Sequence, residues 1–134
     1  MRHFLMLFCS VGLLFTACNS AQKKEVETLD KETMAIHDEA MKEMADMNRT
    51  SRAIKSFLTT AIMTPEQSAI YSEALLNMEK AESEMMAWMA QYKSPEDKPT
   101  AEALVYLKEQ KVKITKNRDD IHAALEAGKK LMPK

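Results

Sequence analysis

Residues 48–67 read "NRTSRAIKSFLTTAIMTPEQ", and the two ends of this stretch decide how the chain is divided. At its far end Thr64 has the side chain of a helix cap, and Pro65 suits a first helical position. Gln67 stands three residues after Thr64 and completes a capping box. A helix therefore starts at Pro65, and any helix before it has ended. The near end, "NRTSR" over 48–52, is polar on every side and can kink or break a helix running through it. An unbroken helix there gives three helices in all; a turn gives four.

Upstream, a helix is expected from about Thr28 into the fifties. Val26, Leu29, Thr33, Ile36, Ala40, Met47, Ile54 and Phe57 follow a seven-residue pattern, with Met44 and Leu58 beside it. Downstream of Pro65, Tyr71, Leu75, Met78, Met85, Met89 and Tyr92 alternate by threes and fours until "KSPEDKP", where Pro95 and Pro99 bracket a turn. A third helix begins near Thr100 and carries Leu104, Leu107, Ile114, Ile121 and Leu125. Gly128 is placed to end it, and Pro133 forbids its continuation. Residues 28–134 thus predict an all-α fold, an antiparallel three-helix bundle, with four helices if the first breaks near residues 48–52.

The first 27 residues are of a different kind. Arg2 is followed by an apolar or small run from Phe4 to Phe15, "FLMLFCSVGLLF". It is shorter than the about 20 residues of a permanent membrane helix and fits the core of a secretory signal peptide. Thr16 and Ala17 then precede Cys18, and "FTAC" resembles a bacterial lipobox with Phe15 at the position more often held by leucine. The resemblance implies that residues 1–17 are a lipoprotein signal peptide, that Cys18 is acylated on sulfur, and that cleavage before Cys18 makes it the lipidated N-terminus. Cys9 leaves with the signal, so no free thiol or disulfide remains, and thiol catalysis and thiolate metal sites are excluded. Two or more acyl chains hold such a chain on its membrane. Asn19 to Glu27, "NSAQKKEVE", is polar without an apolar repeat, so residues 18–27 are expected as a flexible tether reaching roughly 30 Å. The expected location is the cell envelope, on the outer membrane or cell surface in preference to the inner membrane.

Loss of Arg2 leaves 18 basic residues against 20 acidic ones, and this near-neutral balance excludes a nucleic-acid partner. The charge is uneven all the same. Residues 25–47 hold eight acids against Lys31 and Lys42, and residues 108–134 hold eight bases against four acids. Matching of helix dipoles accounts for such a bias: acids at the start of the first helix, bases at the end of the last.

Enzyme templates fail on the residues themselves. There is no Gly-rich phosphate loop, "HDEAM" is not a zinc-protease motif, and Asp119-x-x-His122 is a single fragment of what a di-iron bundle needs twice. A haem held by Met34 and His122 would need these residues at one level, which parallel first and third helices do not provide. What stands out is methionine, ten of them after residue 17. With the first turn centred near Met63, antiparallel pairing sets His37 level with Trp88 and Met89, Met41 with Met85, and Met47 with Met78, with Tyr92 close by. Thioethers and a neutral imidazole are the ligands that Cu(I) or Ag(I) selects, and an indole can shield such a cation. His37, Met41, Met85, Met89 and Met34, with Trp88 as the shield, are therefore candidate metal-site residues. The competing reading is packing, since methionine is an adaptable gap-filler between helices. His122 is expected on the surface.

Taken together, "HDEAM", "MMAWM" and "YLKEQKVKI" make most of the chain after Cys18 resemble a group of small helical bacterial lipoproteins, some of them labelled viral A-type inclusion protein. The resemblance implies a helical fold and an envelope location and carries no catalytic residues. The expected function is a non-enzymatic interaction or structural module on a membrane anchor, binding an envelope protein or itself; the alternative is the soft-metal site.

Overall fold

The computed structural model describes the backbone of residues 12–132 and the side chains of residues 20–132. Three helices, α1 (Gly12–Leu58), α2 (Pro65–Gln91) and α3 (Thr100–Leu131), pack up-down-up into a bundle, as the apolar repeats predict. Of residues 1–17, expected as a signal peptide, 1–11 lie outside the described residues.

Helix α1 does not break at "NRTSR". Polar side chains there find partners without interrupting the helix. Asn48 donates to Glu82 of α2 at 3.0 Å, and the Thr50 hydroxyl donates back to the Asp46 carbonyl at 3.1 Å. The four-helix alternative is thereby set aside. Residues 19–27, expected as a flexible tether, are helical and continuous with the rest of α1. Absence of an apolar repeat was the reason for expecting a tether. Yet Ala, Gln, Lys and Glu are strong helix formers, the segment has no Gly or Pro, and the Thr28 hydroxyl returns to the Lys24 carbonyl at 2.9 Å.

Helix α2 opens with the expected capping box: Thr64 Oγ1 accepts from the Gln67 N–H at 3.3 Å, and Gln67 Oε1 accepts from the Thr64 N–H at 3.0 Å. Gly128, expected as a helix terminator, lies one turn inside α3, which runs on to Leu131. Its φ is not positive, so it is not a left-handed cap. It is needed because the helices approach closely: a Cβ there would stand 2.0 Å from Met78 Cε and 3.1 Å from Thr50 Cγ2.

The core runs the length of the bundle through Met47, Ile54, Met78, Met85, Ile114 and Ile121, with Ala40, Ala81 and Ala124 where helices come near. Each of the larger side chains contributes about 1.5–3 kcal/mol by leaving water. Tyr71 marks one end of the bundle, its hydroxyl donating to the Leu131 carbonyl at 2.9 Å. Helix α1 packs far more extensively on α3 than on α2, so the parallel pair is the tight seam and α1/α2 the loose one.

Dipole matching holds for α3, which carries Lys129 and Lys130 in its last turn, but not for the acids of α1. Helix α1 has no acid in its first turn, because it begins more than three turns before Glu25. The acids instead face α3. Glu25 meets Lys108 at 3.5 Å, Glu32 meets Lys111 at 2.8 Å, Glu39 meets Arg118 at 3.8 Å, and Glu43 lies 3.0 Å from His122 Nδ1. From Glu32 and Lys111 onward both helices advance by seven and then four residues, as parallel neighbours in register must. Exposed pairs of this kind contribute about 0–1 kcal/mol each, so the ladder sets alignment more than stability.

Candidate functional site

The bundle end that contains the start of α1, the end of α2 and the 92–99 turn collects the unusual side chains. His37 is part-buried, its ring centroid 5.7 Å from that of Trp88, and its Nδ1 lies 3.0 Å from Asp38 Oδ1. Trp88 is 6% exposed and stacks in turn on Tyr92, with centroids 4.8 Å apart. The antiparallel register predicted both neighbours. Trp88 Nε1 is buried and has no hydrogen-bond partner among the described residues.

Among the other candidate ligands, Met85 is fully buried in the core cluster, and Met34 and Met41 are part-buried against it. Met89 turns outward, 38% exposed, and lies outside the cluster. Met44, Met47 and Met78 are likewise core residues, so most of the methionine stripe is packing. Among the described residues only Met86 and Met89 of α2 present large exposed thioethers, one helical turn apart. His122 is on the surface as expected, and its level beside Glu43 puts it about two and a half turns beyond Met34 along the parallel pair, too far for a shared haem. The side chain of Cys18 lies outside the described residues; its backbone is part of α1.

Reading each helix separately misses part of the aromatic row. Tyr106 of α3 continues it, 6.1 Å from Tyr92, and its hydroxyl accepts from the Lys93 N–H at 2.9 Å. The Lys98 ammonium sits 5.2 Å from the centre of the Tyr106 ring, within cation–π range. Tyr106 adjoins the apolar position Leu107 but falls off the α3 repeat, so no single-helix pattern marks it. Asp30 is the other omission: its carboxylate accepts from the Tyr92 hydroxyl across the α1/α2 seam. Burial first, and then that hydrogen bond and charge, push the ionisation of Tyr92 well above the ordinary tyrosine range.

Several shallow grooves flank the core, two of them relevant to the ends and seams described above. One, of about 270 Å³ between α2 and α3, is floored by Ala81, Ala123 and Ala127 and walled by Lys80, Glu84, Lys116 and Asp120. Its charges satisfy one another: Lys116 bonds Glu84 at 3.2 Å and also Asp120. The other, of about 350 Å³, lies at the bundle end between Lys23, Val26 and Glu27 of α1 and Ser94, Pro95 and Lys98 of the turn. Among the described residues no three His, Cys, Asp or Glu side chains converge as a metal site, and no helix is long and apolar enough to cross a membrane.

Comparisons with protein-family models, with curated proteins and with solved structures give no match for this chain.

Proposed function

We propose that this chain is an envelope lipoprotein, held on its membrane by acylated Cys18, whose helical bundle serves as a non-enzymatic structural or interaction module. The observation that carries this reading is the order of Arg2, the apolar run Phe4–Phe15, small Thr16 and Ala17, and then Cys18. The exposed pair Met86 and Met89 is the bundle's adaptable contact surface, since thioethers repack against varied partners. Acyl labelling of cells producing the full chain tests the anchor: label should appear on the wild type and vanish in Cys18→Ser, which should also leave the membrane fraction. A photo-crosslinking residue at Met86 should give a discrete adduct that the same residue at exposed Glu73 does not; no adduct at Met86 rejects that surface.

A second reading rests on one contact, the His37 ring against Trp88 on the looser α1/α2 seam, with Met34 and Met41 beside it. It makes the protein a Cu(I) or Ag(I) binder. Cu(I) titration against a competing chelator, with His37→Ala and Met85→Ala alongside, decides it. Stoichiometric binding weakened by both substitutions supports the site, and no binding returns these residues to packing.

A further inference from the structure

Cys18 and the bundle share one helix. Helix α1 is unbroken from Gly12 to Leu58, and already at Lys23, Val26 and Glu27 it lines a groove with Ser94, Pro95 and Lys98 of the α2–α3 turn. Glu25 then makes the first ion pair to α3, with Lys108. From Cys18 to Lys23 the helix rises only about 8 Å. An extended tether of the same segment would reach about twice as far and turn freely. A helix fixes both the distance and the direction.

The up-down-up path brings the 92–99 turn and the start of α3 to this same end, where Tyr92 bonds Asp30. The other end holds the α1–α2 turn, with Ile62 fully exposed, and the close of α3 beside Tyr71. The 27 residues of α2 separate the two ends by about 40 Å.

We infer that the end built around the 92–99 turn rests on the headgroup layer of the membrane that holds the Cys18 lipid, with no flexible spacer, and that the Ile62 end is carried away from it. This rests on the lipoprotein reading above. The surface at that end suits such a layer. Lys23, Lys24, Lys93 and Lys98 are exposed there among exposed Glu27, Glu96 and Asp97. Both signs are present in near balance, which matches the paired phosphate and ammonium charges of zwitterionic phospholipid rather than a strongly anionic surface. The partner is a lipid headgroup layer, contacted by side chains of both signs.

The full chain, acylated in a bacterial host and bound to phosphatidylethanolamine–phosphatidylcholine vesicles, provides the test. Single-cysteine variants Ser94→Cys and Ile62→Cys take a donor dye, because acylated Cys18 does not react, and the vesicles carry a headgroup-linked acceptor. Energy transfer should be several-fold greater from position 94 than from position 62. A flexible four-residue insertion after Ser20 should bring the two positions together. Equal transfer from both positions without the insertion, or a difference that the insertion leaves unchanged, overturns the inference. The mass of the N-terminal peptide and vesicle co-flotation are read on the same samples. Loss of acylation or of flotation overturns the lipoprotein reading itself, so the two failures are told apart.

Discussion

Replacing Gly128 with alanine sets helix propensity against core volume. At an open helical position the change stabilises by about 1 kcal/mol, because glycine has more backbone freedom to lose. Here the new methyl carbon would stand 2.0 Å from Met78 Cε and 3.1 Å from Thr50 Cγ2. Thr50 needs to give only a few tenths of an ångström, but Met78 is 2% exposed and must repack its end within the core. Forcing extra volume into a filled core costs about 1–3 kcal/mol. The clash wins, and Gly128→Ala should destabilise by about 1 kcal/mol. Met78→Ala alone should cost about 2–5 kcal/mol through the cavity it leaves. In that background Gly128→Ala meets open space, and its sign should reverse to a gain of about 0.5–1 kcal/mol. The coupling between the two positions is then about 2 kcal/mol, readable from urea unfolding of the chain from residue 19 followed by circular dichroism. Gly128→Ala stabilising the parent by about 1 kcal/mol, with the two effects simply additive, would refute the close approach of α3 to α2 at this point.

Other residues make separate predictions. Thr64→Ala should cost about 1 kcal/mol by removing the α2 cap, seen as a lowered urea midpoint. The Glu66 carboxyl is held below the usual glutamate range by its own backbone N–H and then by Thr64. Its contribution is therefore present above about pH 4.5 and lost as the pH falls through the depressed value, and Glu66→Gln should flatten the acid limb of the stability profile. Tyr92→Phe should cost about 1 kcal/mol through the lost bond to Asp30. Because the ionisation of Tyr92 is raised, its contribution is intact below about pH 10 and lost above it. An absorbance titration of tyrosinate should show a late-ionising tyrosine that is missing in the variant. Glu32→Lys, placed against Lys111, should destabilise by about 0.5–1 kcal/mol, and adding Lys111→Glu should restore most of the loss. Failure of that rescue in thermal melts would mean the ladder does not align α1 with α3.

The helical class, the Thr64–Gln67 start of α2, the turn between Pro95 and Pro99, and the meeting of His37 with Trp88 are all legible in the residues, because periodicity, capping and loop length act over a few positions at a time. The same local signals mislead where a distant partner decides. "NRTSR" can break a helix by composition, yet it is a helix interior flanked by buried Met47 and Ile54, with Asn48 reaching Glu82 of α2. Gly128 is a terminator by type, and in the bundle it is the gap through which Met78 passes. The acids of α1 suggest a dipole until Lys108, Lys111, Arg118 and His122 are seen opposite them. Methionine type favours packing but leaves partner surface and metal ligand open as well, and burial then assigns Met47, Met78 and Met85 to the core while leaving Met86 and Met89 outside. By itself, then, the sequence determined that the chain is helical and where its main turns fall, and it carries the apolar run before Cys18 on which the proposed lipid anchor rests. The tertiary structure decided which polar residues stay inside a helix, which methionines face solvent, and which end of the bundle lies next to Cys18. These depend on pairs of residues far apart in the chain, whose contact exists only once three helices have chosen a common register.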